Sequence, residues 1–315
     1  MRKTCSPSHF LIVVLIAAAS SARAATPITL LYTPGDSFTE SYVAKDQGIF
    51  AKHGLDITLQ AAQNGSVISA ALTADSAQIG APTPTVLLQG DEQGLDLVIV
   101  ASANRNAKQP PVSETGIAAR ESSGIKTAAD LAHKKFGVPG LGGTIDVLTK
   151  KWVESRGVDY RKVDWVEMQF PNMPDALKAG LADAVSVVDP FLARILASRQ
   201  GYAIGDFGEV MPPGTMVVVY AATRSWVAAH PDAVREFRAA LDESRAFVED
   251  PANAATVKAS IAKYVHLPPQ AAGSIQIPTN LDPVPRPQGL AFWIENCRAQ
   301  GLITGHPDPA KLIAP

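Results

Sequence analysis

Cysteine is scarce in this chain, with two among 315 residues. Cys5 precedes an apolar run near the start, and Cys297 stands alone in WIENCRAQ. Once the first leaves with a leader no disulfide can form within the chain, so the core must hold the fold. Cys297, on a helix-like segment, reads as a small packing residue. The histidines His9, His53, His133, His230, His266 and His306 are dispersed and never paired at ligand spacing, so no metal is expected. Long basic runs are missing too, which argues against nucleic acid as a partner. No G-x-S-x-G elbow occurs, and Ser37, Ser66 and Ser186 have no placed base, so no catalytic residue is expected. Past residue 24 no segment reaches the ~18 uninterrupted apolar residues of a membrane helix, which predicts a soluble mature protein.

What is present begins with an export signal. Arg2 and Lys3 form a positive start, Phe10 to Ser20 is an apolar run too short to span a bilayer comfortably, and Ala22-Arg23-Ala24 is a small-x-small cleavage site. Cleavage there removes three of the 28 basic residues and none of the 30 acidic ones, moving the net charge from −2 to about −5. The whole sequence is 46% hydrophobic and 18% charged, an ordinary globular composition whose length suggests two domains.

Along the chain, short apolar strands alternate with helices. The pattern predicts strands at Ile28–Tyr32, Leu55–Gln60, Gln78–Ala81 and Leu95–Ala101, with helices between them from Thr39, from Ser66 to about Thr73, and to Gln89. This βαβαβ alternation marks a parallel, doubly wound sheet, in which ligands bind beyond the C-terminal ends of the strands. Those ends are Thr33 to Ser37, including Asp36; Asn64, Gly65 and Ser66; Thr83 to Thr85; and Asn104. A turn-rich stretch, RNAKQPPVSETG, then reads as a linker.

The second half repeats the outline. Strands are predicted at Gly116–Ala119, Lys135–Val138 and Ala184–Val188, and Phe170-Pro-Asn172-Met173 precedes a short helix as Gln63-Asn64-Gly65 does in the first half. The strand before Asp189-Pro190 parallels the one before Pro82. Gly201 to Val210 reads as polar and glycine-rich, Val217–Ala221 as a strand, and Ser225–Val248, Ala252–Val265 and Gln288–Gln300 as helical. The proline-rich stretch Leu267–Pro287 is expected to be irregular and to strap the tail to the first half.

The stretch Lys135 to Thr149, KFGVPGLGGTIDVLT, is the centre of the functional reading. It predicts a strand, a glycine turn, and a helix capped by Thr144 and running to about Ser155. Such a turn aims free N–H groups at one point, suited to an anion. The glycine spacing resembles a phosphate loop, but Gly143 stands where the lysine belongs, and Ile145 stands where a dinucleotide fingerprint has its third glycine. No cofactor is therefore expected. Thr144 with the N–H groups of Gly142 and Gly143 is expected to hold an acid group. Asp36 and Asp189 are expected either to meet a ligand amine or ring nitrogen or to cap helices. Tyr32, Phe170, Phe191 and Met216 are candidate apolar walls, with core packing the alternative. Few lysines or arginines fall on these loops, which suits a sulfonate or carboxylate.

Four segments in order, GIFAKHGLDITL, GIAARESSGIKTAADLAHKKFGVPGLGGT, AVSVVDPF and HPDAVREFRAAL, resemble the periplasmic substrate-binding proteins of ABC importers in the nitrate, sulfonate, taurine and pyrimidine-precursor group. The resemblance implies an α/β protein of the two-lobed type II periplasmic binding fold, each lobe a mixed, mostly parallel sheet flanked by helices. It implies lobe one at 25–111 and 221–315, lobe two at 112–220, and hinge crossings near 112–116 and 216–219. It further implies a monomeric periplasmic receptor for a small organic anion, partnered by an inner-membrane ABC permease, with Thr33 to Ser37, Asn64 to Ser66, Thr83 to Thr85, Gly143, Thr144 and Asp189 as contact positions. An aminopyrimidine or thiamine precursor is the alternative ligand. The related pyrimidine synthases are the enzymatic alternative, and this chain lacks their cysteine-rich segment.

Overall fold

Two five-stranded sheets with the same internal plan organise the protein. The computed structural model describes residues 25–106, 115–267, 272–273 and 275–315. The expected leader (1–24), most of the linker and of the 112–116 crossing (107–114), and part of the proline-rich strap (268–271 and 274) lie outside the described residues.

The first sheet takes β1 (Thr26–Tyr32), β2 (Leu55–Ala61), β3 (Ile79–Gly80) and β4 (Leu97–Arg105), with helices α1 (Thr39–Asp46), α2 (Ile49–Lys52), α3 (Gly65–Thr73) and α4 (Pro84–Glu92) between them. The second takes β5 (Thr115–Arg120), β6 (Lys135–Val138), β7 (Asp164–Glu167), β8 (Ala184–Val188) and β9 (Gly201–Gly205), with α5 (Thr144–Ser155), α6 (Met173–Ala179) and α7 (Phe191–Ala197). The chain then returns through β10 (Met216–Thr223) to the first sheet and ends in α8 (Arg224–Ala229), α9 (Pro231–Glu249), α10 (Ala254–Tyr264) and α11 (Ala291–Ala299).

The strand orders are β2-β1-β3-β10-β4 and β7-β6-β8-β5-β9. In each, three consecutive strands run parallel, and a strand from the other end of the half, β10 or β5, inserts antiparallel beside them. The plain parallel sheet read from the alternation is thus a mixed one, because β10 and β5 arrive by crossover rather than through a β-α-β turn. The stretch Met216–Val219 lies within β10, paired with β4 from Met216 opposite Arg105. Just before it, Asn106 N–H donates to the Thr215 carbonyl (2.9 Å) and Gly214 N–H to the Asn106 carbonyl (3.0 Å).

β4 is a long buried strand at the edge of its sheet, and that edge is covered. Ser102 N–H donates to Pro283, Asp282 N–H to Ala103, and Ala314 N–H to Ile99. The proline-rich strap and the tail therefore close an edge that would otherwise present unpaired backbone groups. The expectation for Gly201 to Val210 misses a strand. A Cβ on Gly201 would lie 2.5 Å from the Ala119 carbonyl oxygen, and one on Gly205 would lie 2.1 Å from the Trp152 ring. These glycines mark close approach at β9 rather than a turn. Cys297 is wholly buried on α11, and burial pushes its thiol pKa up to about 12, as befits a packing residue.

Candidate functional site

Because the parallel strands of each sheet point their C-terminal ends toward the other half, the connecting loops meet and enclose a cavity of about 710 Å³. From the first half, Thr33, Asp36 and Ser37 line it, as do Asn64, Gly65 and Ser66, Thr83, and Asn104. From the second, Gly143 and Thr144 line it. Ten of the fifteen sequence-derived positions thus converge on one space.

Five do not line it. Thr85 is wholly buried, its hydroxyl 3.0 Å from that of Thr83, because Pro84 starts α4 and turns it inward. Gly142 faces away, its carbonyl accepting from Gln89 Nε2 at 2.9 Å. Asn172 is exposed on the turn before α6. Asp189 precedes Pro190, the N-cap of α7, and its carboxylate accepts from Ala193 N–H in the first turn at 3.1 Å, while burial raises its pKa. Met216 is buried against Trp293, whose Nε1–H donates to its carbonyl at 2.6 Å. Of the proposed apolar walls only Phe170 reaches the cavity, while Tyr32 and Phe191 are core.

The glycine turn differs from expectation in a way that matters. Gly143, in extended conformation, is the N-cap of α5, so Thr144 is the first helical residue and caps nothing. The Gly142 N–H donates to Asp146 Oδ2 at 2.8 Å and the Gly143 N–H to the Gly140 carbonyl at 3.1 Å, so neither is available to a ligand. What lines the cavity instead is Thr144, 3% exposed, whose buried hydroxyl has no hydrogen-bond partner among the described residues. Beside it lie the first-turn amides of α5, which no helical carbonyl can reach. Across the cavity, Asn104 Oδ1 is likewise buried and without a partner among the described residues, while its amide nitrogen donates to Ser37 Oγ at 3.4 Å.

Sequence reasoning missed several wall residues. Glu167 ends β7 and Gln169 follows it, and Asp206 and Glu209 follow β9. The strand-end rule points to all four once those two strands are recognised. His266, past the end of α10 and one of the dispersed histidines, also lines the cavity. Among the described residues no lysine or arginine lines it. The wall carboxylates are engaged by protein groups: Glu167 by Asn64 and the Leu141 N–H, Asp206 by Gly208 N–H and the Thr115 hydroxyl, and Glu209 by Arg156 at 2.6 Å. No group of acidic, histidine or cysteine side chains able to hold a metal occurs among the described residues.

The two matched sheets, their inserted antiparallel strands and the cavity between them define the type II periplasmic binding fold. Solved structures agree. The alkanesulfonate-binding protein SsuA from Xanthomonas axonopodis pv. citri, bound to MOPS, superposes with a TM-score of 0.78 at 17% identity, covering 92% of this chain and 98% of that one. The periplasmic nitrate-binding protein NrtA from Synechocystis PCC 6803 superposes with a TM-score of 0.75 at 14% identity, covering 90% of this chain and 84% of that one. At the level of sequence, residues 21–262 match the NMT1-like family, and the chain belongs to it. The nitrate/nitrite binding protein NrtA of Synechococcus elongatus is 26% identical over 238 residues, 67% of this chain and 52% of that protein. The chain thus spans about half the length of that curated relative.

Proposed function

We propose that this chain is the solute-binding component of an ABC importer, exported by the 1–24 leader, acting as a monomer in the periplasm and delivering its solute to an inner-membrane permease. It binds without chemical turnover. Lobe one (25–111 and 221–315) and lobe two (112–220) close over the solute about crossings near 112–116 and 216–219; just before the second, Gly214 and Thr215 pair with Asn106. Closure is driven by the solute's higher affinity for the closed arrangement.

The observation that carries the reading is the Thr144 hydroxyl, buried, unpartnered and set at the start of α5 on the wall of an inter-sheet cavity. It suits the oxygen of a sulfonate or carboxylate, held by hydroxyl and N–H groups rather than by a cation. The space is generous for a bare inorganic ion and typical of an organic ligand. Relatives whose names specify alkanesulfonate and nitrate support an oxyanion. A second reading, an aminopyrimidine, is favoured by Asn104 Oδ1, an unpartnered acceptor that asks for a donor from the solute.

Thermal-shift measurements against alkanesulfonates, aromatic carboxylates, taurine and hydroxymethylpyrimidine test this. A solute at about 100 times its Kd should stabilise the protein by about 2.7 kcal/mol. A shift with hydroxymethylpyrimidine alone selects the second reading. No shift with any of the four classes rejects both, and formation of a product from any of them rejects the receptor reading itself.

A further inference from the structure

The halves meet around the cavity through side-chain amides. Asn64 Nδ2, from the first half, donates to Glu167 Oε1 of the second at 2.6 Å. Gln89 Nε2, on α4, donates to the Gly142 carbonyl at 2.9 Å, and Gln300 Nε2 to the Val147 carbonyl at 2.9 Å. The first of these stands apart because its acceptor does two jobs. Glu167 Oε2 accepts from the Leu141 N–H at 3.2 Å, so one carboxylate ties Asn64 to the glycine turn that leads into Thr144. Asn64 is itself fixed, since its Oδ1 accepts from Val67 N–H at 3.0 Å and caps α3. Its amide nitrogen is thereby aimed across the opening. At this point the two halves also come close in space, for a Cβ on Gly140 would lie 3.6 Å from Asn64 Cβ.

We propose that Glu167 is the positioning residue of the closed receptor: it locks the Pro139–Gly143 turn to Asn64, so that the Thr144 jaw is set and the halves are held together before a solute contributes. Only a side chain with two acceptors at this reach can do both. Glutamine keeps one acceptor and turns its amide toward a second donor, aspartate is one methylene shorter, and alanine keeps neither contact. The consequence for solute release rests on the receptor reading; the consequence for the solute-free protein does not.

Asparagine-to-aspartate exchange at position 64 gives a selective probe, because aspartate caps a helix as well as asparagine does yet sets a like charge against Glu167. In solution scattering of the solute-free protein, Asn64→Asp and Glu167→Ala should each raise the radius of gyration above that of the parent. The double variant Asn64→Asp/Glu167→Gln should return it toward the parent value. In that pair the donor and acceptor exchange sides, while the glutamine oxygen still accepts from Leu141 N–H. Hydrogen exchange separates the two jobs: the Leu141 amide should exchange about tenfold faster or more in Glu167→Ala, the scale of a lost charge-assisted bond, and stay near parent in Asn64→Asp. With taurine or hydroxymethylpyrimidine as probe, whichever shifts the melting point, dissociation should quicken in both single variants and recover in the double. Scattering indistinguishable from the parent in every variant, or no recovery in the double, overturns the proposal. If none of the four solute classes binds the parent, the receptor reading is what fails, and scattering and exchange still decide the role of Glu167.

Discussion

The loop Thr33–Ser37 after β1 and the loop Pro139–Gly143 after β6 hold the same place in two sheets of the same strand order, yet they are held by opposite means. The first is backed by its own half. Tyr42 Oη donates to the Gly35 carbonyl at 2.8 Å, Thr39 Oγ1 to the Asp36 carbonyl at 2.5 Å, and Asn104 Nδ2 to Ser37. Phe38 packs on Tyr32, Tyr42 and Tyr220 at centroid distances of 5.9, 6.4 and 6.0 Å. The second has three glycines and little side chain to pack. Gly142 sits at φ +74°, and a Cβ on Gly143 would lie 2.9 Å from the Gly140 carbonyl oxygen, so the turn needs glycine at both. Its support comes from Glu167, Asp146 and, across the cavity, Gln89. One loop is therefore a floor packed from behind by its own half, and the other a jaw held by hydrogen bonds alone, one of them from the other half, a division that would suit the proposed closure.

The largest test of that contrast lies in the floor. Tyr42 is wholly buried and stacks on Tyr264 at 4.9 Å, so Tyr42→Ala should cost about 3–5 kcal/mol in urea unfolding. Tyr42→Phe keeps the packing and leaves the Gly35 carbonyl without its donor, and should cost about 1–2 kcal/mol. Equal costs for the two would mean that the hydroxyl, and not the aromatic cluster, supports the loop.

A second contrast concerns the helices that follow these loops, each of which opens with a buried carboxyl. Asp146 of α5 is matched: burial raises its pKa, while Lys150 Nζ at 2.7 Å and the Gly142 N–H oppose the rise. Glu40 of α1 is not; neither of its oxygens meets a hydrogen-bond donor of another residue among the described residues, and burial drives its pKa well above the ordinary value. A carboxyl with a raised folded pKa binds its proton more tightly when folded. Its contribution is therefore full below the unfolded value, near 4.3, and is lost as pH climbs toward the folded one, by up to about 1.4 kcal/mol per pH unit. Glu40→Gln should remove that slope, so that its stability relative to the parent improves between pH 5 and 7. Parallel pH profiles for variant and parent would show that Glu40 is charged in the folded state.

Much of this plan is legible in the sequence, and the gaps have physical causes. The limits of β6, α5 and β8 follow from apolar runs ended by Gly, Pro or Asp, because local pattern alone decides where such elements stop. β9 was hidden because glycines that allow close packing look like glycines that allow turns. The orientation of β10 and β5 depends on contacts far apart in sequence, which no local period encodes. At the site, strand ends led to Asn64, Asn104 and Thr144, but not to their hydrogen bonds. Whether a loop amide is free or taken is settled by its neighbours: Asp146 and Gly140 consume the two N–H groups that looked available, and Glu167 bonds both the Leu141 N–H and Asn64, which is 103 residues away in sequence. Asp189 and Asp36 are alike in sequence setting, yet only Asp36 lines the cavity.

The smallest effect on stability should come from Thr144, and for that reason it is the sharpest test of the jaw. Its hydroxyl makes no bond that folding depends on, and alanine is well tolerated in a first helical turn, so Thr144→Ala should unfold within about 0.5 kcal/mol of the parent in the absence of solute. If the hydroxyl meets an acid group, its removal should weaken solute binding by about 1.5–3 kcal/mol, the range for a hydrogen bond to a charged partner, and Thr144→Ser should restore most of it. Calorimetric titration with the solute that gives the largest melting shift measures both. The contrast between floor and jaw breaks if Thr144→Ala instead destabilises the solute-free protein by more than about 1.5 kcal/mol and leaves affinity intact, for Thr144 would then be packing, as Tyr42 is behind the opposite loop.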